Sequence, residues 1–274
     1  MAKKDKLATA AEYFARGVEY GSRGESDLSI ADLDQVISLD PSYEKVYNFR
    51  GLAYTRKGDN DSAIADFGRA IGQNPYDADA YYFRAAAYMN MGDNDRALQD
   101  YDQAILLNPN FVEAYYNRAL IYVKMGNVDR AIKEYDHGIR IDPEYAEAYC
   151  NRGILYMHKD DINNALKNYN HALRIDPNYA PAYYNRGVAY WNKGDTDRAI
   201  AEFDRAIELN PNYAEAYFMR ANAYGRKYHF GQAVADYKTT LQLDPNHPLA
   251  GHLKDAAQDA WDELGGKDLF KVKK

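Results

Sequence analysis

The chain has 274 residues, with 34 Lys and Arg against 41 Asp and Glu, giving a formal net charge of −7. Mean hydropathy is −0.68, and no uncharged apolar run approaches the ~18 residues a membrane helix needs, so no span is expected. A single cysteine, Cys150, excludes an intrachain disulfide, and an acidic chain without a Lys/Arg-rich run lacks the phosphate-neutralising surface that nucleic-acid binding requires.

Residues 1–9 read as a polar lead, because Lys3, Lys4, Asp5 and Lys6 are followed by no apolar stretch of the kind a secretory signal carries. The default expectation is a cytoplasmic location, which a lone cysteine also suits. From residue 10 the chain becomes periodic. Pro41, Pro75, Pro109, Pro143, Pro177, Pro211 and Pro245 stand 34 residues apart, which divides residues 10–247 into seven units: 10–43, 44–77, 78–111, 112–145, 146–179, 180–213 and 214–247.

Within each unit, position 4 is tyrosine (Tyr13 to Tyr217), as is position 11 (Tyr20 to Tyr224). Position 8 is Gly or Ala, position 20 is Ala in six units, and position 24 is large, as in Phe67, Tyr101 and Phe203. Positions 4, 8 and 11 share one helix face, and positions 20, 24 and 27 or 28 share another, so each unit is expected to form two amphipathic helices. Small residues let the backbones approach and rings fill the space beside them. Gly at position 15 in five units ends the first helix, a following Asp such as Asp59, Asp93 or Asp195 caps the second, and Asp/Asn-Pro stops it.

Beyond the seventh unit, Leu249, Leu253, Ala257, Ala260 and Leu264 recur at helical spacing. Residues 248–264 are therefore expected to form a helix that covers the last unit, followed by a basic flexible tail at 265–274.

The pattern of residues 182–211, AYYNRGVAYWNKGDTDRAIAEFDRAIELNP, resembles the tetratricopeptide repeat, and the resemblance extends over residues 10–247. It implies an all-α fold, a right-handed superhelical solenoid of antiparallel helix pairs, with the first helices lining a concave groove. It also implies a non-enzymatic scaffold that binds a peptide segment of another protein. Two other readings stand beside it: a structural solenoid that self-associates through its edges or ends as a homo-oligomer, and a targeting subunit of an enzyme complex.

Position 7 is arginine in all seven units (Arg16, Arg50, Arg84, Arg118, Arg152, Arg186, Arg220), where the resembled family mostly carries leucine. Position 23 is acidic in six units, and unit five has Asn168 instead. Each arginine is expected to pack its stem in the helix interface and to bond the acid of its own unit. A polyanion-binding ladder is the competing reading.

The family resemblance places positions 2, 5, 6, 9, 12 and 13 on the groove wall. There the expected anchors are exposed aromatics and methionines: Tyr82, Tyr116, Tyr184 and Phe218 at position 5, and Met89, Met157 and Trp191 at position 12. Lys124 and Arg226 at position 13 add basic groups, opposed by acids at position 2, which leaves the sign of the groove open. Asn117, Asn151 and Asn185 align at position 6, resembling the asparagine ladder of O-linked N-acetylglucosamine transferases. The amides either bond a guest backbone or only neighbouring helices. The carboxylate clamp of chaperone-binding relatives is missing, since no unit has Lys at position 5.

No phosphate loop, metal-binding His pair or nucleophile elbow occurs, so no cofactor, metal or catalytic residue is expected. His137 and His171 share position 26 and read as solvated, and Cys150 reads as an inert filler.

Overall fold

A computed structural model describes residues 9–263 and 265. The polar lead up to residue 8 and the basic tail from 266 lie outside the described residues, as does Leu264. The fold class is an all-α helical-repeat solenoid, with fifteen helices among the described residues.

The chain forms two compact units, residues 1–141 and 142–274. The first holds four helix pairs: α1 (Ala10–Ser22) with α2 (Ser26–Leu39), α3 (Val46–Lys57) with α4 (Asn60–Gln73), α5 (Ala78–Asn90) with α6 (Asn94–Leu107), and α7 (Val112–Lys124) with α8 (Val128–Ile141). The second holds three, α9 (Ala146–His158) with α10 (Ile162–Ile175), α11 (Ala180–Asn192) with α12 (Thr196–Leu209), and α13 (Ala214–Arg226) with α14 (Phe230–Leu243), followed by α15 (Ala250–Glu263). Within each unit every second helix also packs on the next first helix, and successive first helices touch.

The packing follows from residue size. Phe67, Tyr101, Tyr135, Tyr169 and Phe203 are fully buried, each contributing about 1.5–3 kcal/mol from the area removed from water. A Cβ added at Gly187 would meet Phe203 at 2.6 Å, and one at Gly153 would meet Tyr169 at the same 2.6 Å. The small residue at position 8 is therefore a seat for the ring at position 24. Val36 and Ser29, larger than their counterparts in later units, are also buried, the latter beside Gly21.

Helix ends are chemically defined. Thr9 and Glu12 form a reciprocal capping box, with Glu12 N–H donating to Thr9 Oγ1 at 3.2 Å and Thr9 N–H to Glu12 Oε2 at 2.7 Å. Asp59, Asp93, Asp161 and Asp195 each accept from a backbone N–H three residues on, at 3.1–3.2 Å. Position 15 is left-handed even without glycine: Asp160 has φ 57° and Tyr228 φ 61°.

The last helix departs from the sequence expectation in its phase. Ala250 and Ala257 face inward and pack with Ala233, Val234 and Tyr237, whereas Leu249 and Leu253 are exposed. Alanines at 250 and 257 let α15 lie close on α14, so small residues rather than leucines make the contact.

Candidate functional site

Two constellations identified by spacing can be located in space. The first is the arginine column. Six position-7 arginines bond the carboxylate of their own helix pair: Arg16–Asp32 at 2.6 Å, Arg50–Asp66 at 2.7 Å, Arg84–Asp100 at 2.7 Å, Arg118–Glu134 at 2.9 Å, Arg186–Glu202 at 2.9 Å and Arg220–Asp236 at 2.7 Å. With Asp32, Asp66, Asp100 and Asp236, Nε and Nη2 reach both carboxylate oxygens in the two-pronged geometry that suits a guanidinium. In the fifth pair, Arg152 Nε donates to the amide oxygen of Asn168 at 2.9 Å.

Each of the seven guanidinium groups also stands 5.3–5.8 Å from the ring centre of the position-4 tyrosine, a cation–π distance. Sequence reasoning missed a further partner. Arg50, Arg118 and Arg220 reach Asp34, Asp102 and Asp204 of the preceding pair, and Arg186 reaches Asn170. These residues share position 25, and their recurring polarity was the available signal. The hydrogen bonds to Asp100 hold the Arg84 cation above its ordinary pKa, while burial pushes the Asp236 carboxyl up against the pull of Arg220. The arginines thus tie one helix pair internally and link it to its neighbour.

The second constellation is the set of first-helix residues. In the first unit, Tyr82 and Asn117 meet, with Asn117 Nδ2 donating to the Tyr82 hydroxyl at 3.1 Å. Met89 packs in the same cluster as Tyr82, Tyr116 lies 5.7 Å from the Tyr135 ring, and Lys124 is exposed in the last turn of α7.

In the second unit, Asn151 and Met157 are half-buried on α9. Asn185 Nδ2 donates to the Pro181 carbonyl at 2.8 Å and approaches Cys150 Sγ at 3.7 Å. Trp191 and Arg226, from α11 and α13, come together with the guanidinium 5.0 Å from the indole centre.

The position-5 rings are less exposed than expected. Tyr82, Tyr116, Tyr184 and Phe218 are all half-buried. Tyr82 lies 4.6 Å from Phe111, Tyr184 lies 5.0 Å from Tyr213, and Phe218 lies 4.2 Å from His247. The partner is in each case the last residue of the unit, just ahead of the next first helix. These rings join one helix pair to the next, and burial accordingly raises the Tyr82 and Tyr184 phenols above their usual pKa.

Cys150 is buried, and burial pushes its thiol up to about 12, so it is no nucleophile at neutral pH. His137 and His171 stack on Tyr115 and Tyr149. Among the described residues no group of three His, Cys, Asp or Glu side chains is placed to hold a metal ion, and no helix is long and apolar enough to cross a membrane.

Comparison with known proteins agrees with the repeat. A TPR-repeat model matches residues 51–92, 87–126, 120–160 and 155–194, and tetratricopeptide-repeat models match 13–43, 180–213 and 202–235. Among curated proteins no relative matches.

Three solved structures are similar. YrrB, a TPR protein with an unusual peptide-binding site, is 25% identical with a TM-score of 0.56, over 69% of this chain and 97% of its own. A tetratricopeptide repeat protein from Parabacteroides merdae is 20% identical with a TM-score of 0.67, over 91% and 98%. The Cut9–Hcn1 hetero-tetramer of the APC/C is 19% identical with a TM-score of 0.70. The match covers 92% of this chain but spans only 50% of that one. Taken with the uninterrupted 34-residue period, the matched repeats show that the chain belongs to the tetratricopeptide-repeat family, whose scaffolds commonly mediate contacts between proteins and are generally non-enzymatic.

Proposed function

We propose that the chain is a binding scaffold that holds an extended segment of a partner protein against its first helices. The observation that carries this reading is the pairing of Trp191 with Arg226 on neighbouring first helices α11 and α13. An indole and a guanidinium held together make an amphipathic anchor of the kind that dominates protein interfaces. Met157 on α9 supplies an adaptable apolar contact beside it in sequence register.

The N–H groups of Asn185 are engaged by Pro181 and Cys150. What this amide offers a guest is therefore its carbonyl oxygen, an acceptor for a backbone N–H that demands no particular side chain. In the first unit, Asn117, Tyr116, Met89 and Lys124 supply the corresponding surface. YrrB, with its unusual peptide-binding site, lends support by similarity.

The test is selection of binding peptides from a random display library, followed by titration of one selected peptide into the parent and into a Trp191→Ala/Asn185→Ala variant. The reading expects at least about a hundredfold weaker binding, corresponding to roughly 2.7 kcal/mol, with helix content unchanged. Equal affinity in a folded variant overturns it. Self-association through the chain end is the second reading, favoured by the exposure of Leu249 and Leu253. Light scattering that gives the monomer mass at every concentration removes it.

A further inference from the structure

The second helix pair, α3 with α4, lacks the ring contact that closes other pairs. In four of them the position-5 ring lies against a ring at the last position of the unit: Phe14 against Tyr43 at 4.9 Å, Tyr82 against Phe111, Tyr184 against Tyr213, and Phe218 against His247. The second pair sets Asn48 and Asp77 at those two positions. Its ring stands one residue closer to the proline, at Tyr76, which is 81% exposed and so packs in no such contact. Asn48 and Asp77 instead line a cavity of about 180 Å³, with Glu44 and Lys45 also on its wall.

The hydrogen bonds around this cavity leave one atom in need of a donor. Asn48 is only 5% exposed, and its Nδ2 donates to Asp77 Oδ2 at 2.7 Å. A carboxylate can only accept, so the amide nitrogen has to face it and Oδ1 is turned away. That oxygen is buried, and among the described residues no donor reaches it. A buried acceptor without a partner is costly, so Asn48 Oδ1 marks a place for a donor. Donors on the wall are used elsewhere: Gln73 Nε2 donates to the Pro41 carbonyl at 2.9 Å and Ser42 Oγ to Asp40 Oδ1 at 2.7 Å. Asp77 Oδ1 accepts from the N–H groups of Asp79 and Ala80 at 3.1 and 3.3 Å. Glu44 and Asp77 against Lys45 leave the wall one negative charge in excess.

We propose that this cavity takes an alkylammonium group, with Asn48 Oδ1, Asp77 and Glu44 as its acceptors. An ammonium carries three donors and no acceptor, which matches one amide oxygen beside two carboxylates and balances their excess charge. A guanidinium fits less well, because it seeks the open edge of a carboxylate for a two-pronged contact, and both oxygens of Asp77 are already engaged. The alkyl stem supplies the apolar bulk that a ring supplies in other pairs. The cavity lies in the first compact unit, whereas Trp191 and Arg226 lie in the second, so the failure of either assignment leaves the other standing.

The experiment follows the Asn48 side-chain amide by NMR in the full chain while n-butylammonium is added at constant ionic strength. Butyltrimethylammonium, with the same charge and stem but no N–H, is the reference. A saturable shift with n-butylammonium is expected, with binding of the reference weaker by about tenfold or more. Glu44→Gln, on an exposed side chain, is expected to weaken binding and Lys45→Gln to tighten it, each by about threefold or more. Asn48→Tyr with Asp77→Phe installs the ring pair of the third helix pair and is expected to abolish binding, read at the backbone amides of Glu44 and Lys45. Tighter binding of Nα-acetyl-lysine methylamide than of n-butylammonium assigns the group to a lysine side chain of a protein, and equal or weaker binding assigns it to a free amine. An unmoved Asn48 amide, equal affinity for both cations, or a folded ring variant that binds like the parent overturns the proposal. Should the ring variant not fold, charge variants that shift binding in the same direction, or leave it unchanged, overturn it instead.

Discussion

Arg84 and Asp100 give the cleanest test of the arginine column. Position 25 of the preceding pair is Gly68, so no acid at that position competes for the guanidinium. The two side chains meet at 2.7 and 2.8 Å through both prongs of the fork, with 23% and 8% of their surfaces exposed. At that separation the gross attraction is about 6 kcal/mol for an effective dielectric of ~20, most of it offset by the cost of taking both charges out of water.

Truncating one partner leaves the other charge in a place built for a pair. Arg84→Leu strands the more buried carboxylate and is expected to cost about 3–4 kcal/mol, and Asp100→Leu about 2–3 kcal/mol. The double variant, apolar on both sides, is expected to fall within about 1–2 kcal/mol of the parent, for a coupling of about 3 kcal/mol or more. Urea unfolding followed by circular dichroism on the four proteins supplies the cycle. Single effects that sum to the double effect within about 0.5 kcal/mol would refute the pairing.

Three further outcomes follow from the local geometry. Asp160 holds a left-handed turn at φ 57° where five other pairs use glycine, so Asp160→Gly should raise stability by about 0.5 kcal/mol in denaturant titration. The Cys150 thiol, pushed up to about 12 by burial, should resist a thiol reagent at pH 8 in the folded chain and react within the dead time once urea unfolds it. The Asp93 carboxyl is held below its ordinary 3.8 by the backbone N–H of Arg96 and then by its side chain. A depressed folded pKa contributes stability that is present above the unfolded value and lost as pH falls through the folded one. Asp93→Asn, which keeps a capping acceptor, should therefore flatten the acid limb of the stability profile below about pH 4.

The helix pairs were legible in the sequence because most boundaries are marked chemically: proline after the second helix, glycine or a turn residue after the first, and an aspartate before the second in four of the seven pairs. The Arg-to-acid pairing was legible for a related reason, since positions 7 and 23 face each other within one unit. Contacts between units were harder to read. Position 25 bonds the arginine of the next pair, and the position-5 rings lie against the last residue of their own unit, because of how consecutive pairs stack. A local period does not encode that stacking, so Tyr82, Tyr184 and Phe218 read as exposed although they are half-buried against those residues. The last helix misled through its leucines, because Ala250 and Ala257 make the contact and alanine carries little hydrophobic signal. In the candidate surface, Trp191 and Arg226 were both found by position, but their mutual contact was visible only in space.

The measurement that addresses the scaffold reading most directly is backbone hydrogen exchange of the full chain with and without a display-selected peptide. The account predicts added protection on the first helices, centred on α11 and α13 around Trp191 and Arg226. Protection confined to α10, α12 and α14, with the first helices unchanged, would contradict it.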